Sequence, residues 1–260
     1  MNITPEQLLT AFTVKYSPYL LKDYSFPERK PEDIPVDEKH PELCSLVRNV
    51  DLKRKEDPFI GAKLAGQEIY LNLTNWLKNE KGVHAETLLA VLGSVGGHEC
   101  VKGIMNTLNS IVNDNSPDKN MEKAVAGLLG ILIVETTNRE RYIMGDRIGN
   151  AFSSFYETAA SENGIALDKL TTLASEVASK IGTENYWITS FGEFVKENPR
   201  ELADLFDGKF ERTFNIYCCF PYERMLGFAV ATQKAVKQAE SVISKETALS
   251  ILAEFGWRTA

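Results

Sequence analysis

Apolar positions recur along this chain mainly at the three-and-four spacing of an α-helix. Ala62, Ala65, Ile69, Leu73 and Trp76 fall on one face of a predicted helix from Phe59 to about Glu80, with Lys81-Gly82 as its stop. Leu88, Leu89, Val91 and Leu92 predict a helix from Ala85 to Val95. After Gly96-Gly97 another runs from Glu99 to Val112. Ser116-Pro117 has the form of a helix start, serine as cap and proline in the first turn. The helix it opens carries Met121, Val125, Leu128, Leu129, Leu132 and Ile133, apolar around most of its circumference and therefore expected in the core.

The second half continues in the same manner. A helix from Ile148 carries Phe152, Phe155, Tyr156 and Ala159 and stops at Asn163-Gly164. Leu167, Leu170, Ala174, Val177 and Ile181 form a clear amphipathic stripe, closed by Gly182. Asn198-Pro199-Arg200-Glu201 is a capping box opening a short helix that ends at Gly208. Met225, Ala229, Thr232, Val236, Ala239 and Ile243 mark a long helix, and a last one runs from Lys245 to Phe255 and ends at Gly256-Trp257. Two stretches stay open between helix and strand or turn: Arg141–Gly145, and Phe210–Phe220, where Phe214, Ile216 and Cys218 alternate while Phe210, Phe214 and Tyr217 fit a helix.

The N-terminal part differs. Thr4, Pro5 and Gln7 can cap a short helix to about Lys15. From Tyr24 to Pro41, Pro27, Pro31, Pro35 and Pro41 recur among acidic residues. Proline fixes φ and removes a donor, so this is expected to be an extended strap, with Phe26, Ile34 and Val36 available to dock on the body. The fold class expected is all-α: a bundle or array of eight to ten helices with at most a short strand pair. Residues 1–57 form an N-terminal helix plus strap packed on the body, and 58–260 the helical domain.

Composition narrows the functions. Apolar residues are 43% of the 260, enough to form a core, and 36 acidic against 29 basic side chains give a net charge of −7. That field repels polyanions, so nucleic acid is not an expected partner. Lys53-Arg54-Lys55 is the compact basic run, and Asp51, Glu56 and Asp57 flank it; a solvated helix end is expected there. The longest apolar stretch, Ala124–Val134, is too short for a membrane span. The opening residues lack the pattern of a secretory signal. A cytoplasmic chain with four reduced, mostly buried thiols is expected, since Cys44, Cys100, Cys218 and Cys219 have no framework spacing.

Familiar reactive motifs fail in detail. Gly93-Ser94-Val95-Gly96-Gly97 is followed by His98-Glu99, not by the Lys-Ser/Thr of a phosphate loop, so close helix packing or a tight turn is expected of these glycines. His98-Glu99 begins a zincin pattern, but Lys102 occupies the place of the second histidine, leaving His98 as a hydrogen-bonded residue at a helix start. Two positions before Ser94 stands Leu92, not the glycine of a nucleophile elbow, and His98 and Cys100 point apart on a helix. No metal, cofactor or catalytic residue is expected. The densest polar constellation lies between Glu135 and Asn150. Glu135, Arg139, Arg141, Asp146 and Arg147 are candidate ligand-binding residues for an anion or carboxylate. The competing reading makes Glu135–Arg139 a helical i,i+4 pair and Asp146 a cap.

Three segments, Leu89–Gly97, Tyr142–Ile148 and the final helix to Trp257, resemble in order a group of uncharacterised bacterial helical proteins over the last two-thirds of the chain. The resemblance implies a helical fold with Gly145-Asp146 at a fixed turn, and no substrate or catalytic residue. Function is expected to lie in association with another protein or with itself, through Met225–Ile243 and Lys245–Trp257. The alternative is a small-molecule or anion binder, or an enzyme, built on the Glu135–Asn150 residues.

Overall fold

Two pairs of helices approach so closely that only glycine fits between them, and the core forms around those contacts. The computed structural model describes residues 42–57, 60–112, 132–135, 141–145, 164, 167–219 and 221–259. Among them are eight helices: α1 (Glu42–Lys53), α2 (Ile60–Trp76), α3 (Ala85–Val112), α4 (Leu167–Ser179), α5 (Pro199–Phe206), α6 (Glu211–Tyr217), α7 (Pro221–Ala239) and α8 (Lys245–Thr259). Strands β1 (Leu132–Glu135) and β2 (Arg141–Gly145) form an antiparallel pair. The chain is thus an all-α array carrying one strand pair. The N-terminal helix, the strap of 24–41 and the helix expected from Ile148 lie outside the described residues.

The break expected at Gly96-Gly97 does not occur. One helix runs through from Ala85 to Val112 because its glycines are contact points. A Cβ at Gly93 would lie 2.5 Å from the Leu252 carbonyl oxygen of α8, and one at Gly97 would collide with the Gly256 carbonyl and the Thr259 hydroxyl. The backbones of α3 and α8 therefore touch, and Thr259 Oγ1 donates to the Ser94 carbonyl at 2.8 Å across the seam. A Cβ at Gly96, by contrast, would meet Phe228 of α7 at an ordinary 3.6 Å. The second close pair is α2 on α7, where a Cβ at Gly66 would stand 2.5 Å from the Gly227 carbonyl oxygen. Leu88, Leu89, Val91, Leu92 and Val95 of α3 join Phe228, Leu249, Leu252 and Phe255 in the main core.

The last helix also continues past its expected end. Ser244 caps it through the Thr247 amide at 3.0 Å, and it runs through Gly256 and Trp257 to Thr259. Gly256 does not stop it because the glycine is a packing surface for α3. Most of α8 is buried, from Ala248 and Leu249 to Phe255 and Arg258. This central position removes it as the association surface expected from sequence; α7 likewise carries a buried face in Phe228, Ala231, Ala235 and Val236.

Other differences are local. Within the 210–220 stretch, Glu211–Tyr217 is helix α6, capped by extended Cys218. Phe214 and Ile216 are both buried because α6 is held between α2 and α1. Leu132 and Ile133 are strand, not helix: their backbones are taken up in the antiparallel ladder opposite Gly145 and Ile143, a partner that local periodicity does not reveal. Arg141–Gly145 is the other strand. Helix α2 ends at Trp76 instead of Glu80, and Asn79 and Gly82 close a tight turn with Gly82 at φ +108°. Helix α1 was not anticipated, and Arg54 at its end is buried instead of solvated.

The two neighbouring glycines of α3 separate the packing role from helix propensity. Gly97→Ala should cost about 1–3 kcal/mol by overpacking the α3–α8 seam. Gly96→Ala should be neutral or stabilise by up to ~1 kcal/mol through helix propensity. Urea unfolding of both variants checks the pair; equal effects would contradict the assigned contact.

Candidate functional site

The residues singled out by sequence are only partly brought together. Glu135 ends β1 and Arg141 begins β2, and the two are direct partners in the ladder. Glu135 thus belongs to a strand, so the helical Glu135–Arg139 pairing does not apply. Arg139, Asp146, Arg147 and Asn150 lie outside the described residues. His98 sits inside α3, not at a helix start, with Nε2 3.8 Å from Asp207 Oδ1. Burial and the neighbouring Lys102 hold its imidazole below the usual histidine range. Among the described residues no three His, Cys, Asp or Glu side chains converge as a metal set. The thiols of Cys44, Cys218 and Cys219 are half-buried, and that of Cys100 is buried. Burial, with Glu223 adding to it, pushes the Cys218 thiol well above its ordinary value, which keeps it protonated.

Buried charge is spent elsewhere, on holding irregular segments in place. Arg54 leaves the end of α1 and donates to Glu223 Oε1 of α7 and to the Tyr217 carbonyl at the end of α6, with Asp51 3.2 Å away. Glu223 Oε2 accepts the Cys219 amide at 2.9 Å. One guanidinium thereby closes three chain segments, and Gly61 supplies the room, since a Cβ there would run into all three partners.

The second buried pair builds a surface. Glu254 and Arg258 lie one turn apart at the end of α8, both about 1% exposed, with Arg258 Nη2 donating to Glu254 Oε1 at 2.6 Å. Each also reaches the segment between α4 and α5. Arg258 Nη1 donates to the Tyr186 carbonyl, and the Ser190 amide donates to both Glu254 oxygens at 3.1 Å. Tyr186 Oη donates back to the Trp257 carbonyl at 3.2 Å. Short turns continue the brace, Ile188 N–H to Asn185 O at 3.2 Å and Phe194 N–H to Phe191 O at 2.9 Å. Val195, buried, pins the far end.

Between these anchors the loop turns large apolar groups outward. Ile188 is 62% exposed and Phe194 51%. Half-buried Trp187 packs edge-on to Tyr186 with ring centroids 4.9 Å apart, and Arg200 of α5 sits over it. Phe191 and Ser190 line one side of a cleft of about 390 Å³. Lys169, Thr172 and Glu176 of α4 and Ser250 of α8 line the rest. Lys169 pairs with Glu246 beside it. This is a shallow, mixed-polarity depression rimmed by aromatic and aliphatic groups, with no nucleophile–base pair among the residues lining it.

Sequence reading missed this loop because Trp187, Ile188, Phe191 and Phe194 follow neither helical nor strand periodicity. The available signal was an aromatic-rich aperiodic segment, together with Glu254 and Arg258 at i,i+4 in an otherwise apolar helix. Compared with known proteins, the chain matches no family model, no curated protein and no solved structure.

Removing one partner of the α8 pair leaves a buried charge uncompensated. Arg258→Met should cost about 3–5 kcal/mol, whereas Glu254→Leu with Arg258→Met should recover part of that loss. A double-mutant cycle by chemical denaturation measures it; additive losses would show that the two side chains are not coupled.

Proposed function

We propose that this protein acts by association, with itself or with another protein, through the 187–194 loop and the adjoining α4–α8 cleft. The observation that carries the reading is the exposure of Ile188 and Phe194 on a loop that a buried ion pair holds rigid. A flexible segment would turn such groups inward. Here the Tyr186 carbonyl and Ser190 amide are fixed from below, so little conformational freedom remains to be lost on binding. Exposed apolar anchors flanked by polar groups, beside a cleft of mixed polarity, are the usual material of a recognition surface. The net charge of −7 supports a protein in preference to a nucleic acid as the partner. No helix among the described residues is long and apolar enough to cross a membrane.

Ile188→Ser with Phe194→Ser should leave the helical circular-dichroism signal and denaturation midpoint nearly unchanged, since both side chains face water. Association should weaken by about tenfold or more, the equivalent of roughly 1.4 kcal/mol or above. Sedimentation velocity over a concentration series tests self-association. Site-specific photo-crosslinking from position 188 in cells, repeated with the Phe194→Ser change, tests a separate partner. A wild-type chain that stays monomeric and yields no crosslink that depends on Phe194 overturns the reading.

A further inference from the structure

A different cluster, where α3 meets the end of α5, places one ammonium between two carboxyl groups of unlike burial. Glu99 of α3 has a side chain only 4% exposed, and Lys102 Nζ stands 3.4 Å from its Oε1. Its Oε2 is buried and has no hydrogen-bond partner. The same Lys102 Nζ makes a short contact with Asp207 Oδ1, whose side chain is 48% exposed. Asp207 is the C-cap of α5 and precedes Gly208, at φ +72°.

An ionised carboxylate in the Glu99 position would leave one buried oxygen without a donor, whereas the neutral acid tolerates it at far lower cost. The donorless buried Glu99 Oε2, beside an Asp207 that stands in water, agrees with a neutral Glu99 and an ionised Asp207. Burial, opposed by Lys102 and Arg224 and assisted by Glu211, holds the Glu99 carboxyl above its ordinary range. The charged groups facing the cluster come from every side. On α3 they are His98 and Lys102, and from α5 Asp204 and Asp207. Glu211 of α6 is paired at 2.9 Å with Arg224 of α7. The charged pair of α8 is turned instead toward Tyr186 and Ser190.

We propose that Glu99 and Asp207 compete for the Lys102 ammonium, so that loss of the Glu99 proton draws Lys102 inward and away from Asp207, in the turn that joins α5 to α6. Asp207 stands in water and accepts the loss readily. His98, 3.8 Å away, is a poorer partner for Asp207 than the ammonium, because burial and Lys102 hold its imidazole below the usual histidine range. That turn is closed by Lys209 N–H to Phe206 O and by Glu211 N–H to Gly208 O, both 3.2 Å. Lys209 in turn lies over the Phe206 ring at 4.4 Å and the Trp76 ring at 5.8 Å. The cluster is a proton-sensitive latch, independent of the association surface.

Carboxyl-carbon and amide NMR of the full chain, titrated from about pH 4 to about pH 9, tests it across the carboxylate and histidine ranges. The Glu99 carboxyl should titrate above the usual carboxylate range, and the Gly208 amide should move with the same midpoint. In Glu99→Gln that Gly208 step should vanish. In Asp207→Asn, where Lys102 belongs to Glu99 alone, the Glu99 midpoint should fall. A Glu99 midpoint in the ordinary range, a Gly208 step that survives Glu99→Gln, or a Glu99 midpoint unmoved by Asp207→Asn would each overturn the latch. If Glu99→Gln does not fold, the wild-type and Asp207→Asn titrations decide alone.

Discussion

The backbone contact between α3 and α8 is the constraint on which the remaining architecture rests. Gly93 and Gly97, one turn apart, let α3 meet the carbonyls of Leu252 and Gly256 directly. At that separation the flanking Leu89, Leu92, Leu249 and Phe255 are buried in one core cluster, and dispersion is gained along the seam. Because α3 covers one side of α8 while α4, α5 and α7 contact it elsewhere, the C-terminal helix becomes the axis of the array instead of a peripheral element. The close seating of α2 on α7 through Gly66 and Gly227 repeats the device on the other side of the core.

Once α8 is central, any charge it carries must be answered inside the protein. Glu254 and Arg258 answer each other and use their remaining hydrogen-bonding capacity on the Ser190 amide and the Tyr186 carbonyl. Arg54 and Glu223 do the same for the ends of α1 and α6. Buried pairs of this kind pay heavily in desolvation, and well-packed apolar replacements are often no less stable. What they supply here is position. Each fixes a segment without regular secondary structure that apolar packing alone would leave with several arrangements. Ile188 and Phe194 are exposed on the segment anchored in this way through Tyr186 and Ser190.

The two functional proposals occupy different parts of the fold and rest on different physics. The loop and cleft depend on exposed apolar area presented rigidly. The Glu99 cluster depends on the unequal solvation of two carboxyl groups sharing one ammonium. Helix α5 borders both: Arg200 at its start lies over Trp187, and Asp207 at its end meets Lys102. The constellation around Glu135 and Arg141 is represented by a cross-strand register alone.

The residues by themselves determined where helices form and roughly where they stop, since hydrophobic spacing, the Asn198 capping box and Gly182 act within one or two turns of chain. The stripes of α2 and α4 and the short α5 were legible for that reason. Tertiary structure decided whatever depends on a distant partner. Gly96 and Gly97 read equally as a turn or as a packing face until α7 and α8 are in place. Arg54 reads as solvated until Glu223, far along the chain, meets it. Leu132 and Ile133 suit a helix until β2 offers hydrogen bonds. The aromatic loop was invisible to periodicity because its shape is imposed from α8, not by its own backbone. Local spacing fixes conformational preference within a few residues, whereas burial, charge pairing and exposure are properties of contacts that exist only once the chain has closed on itself.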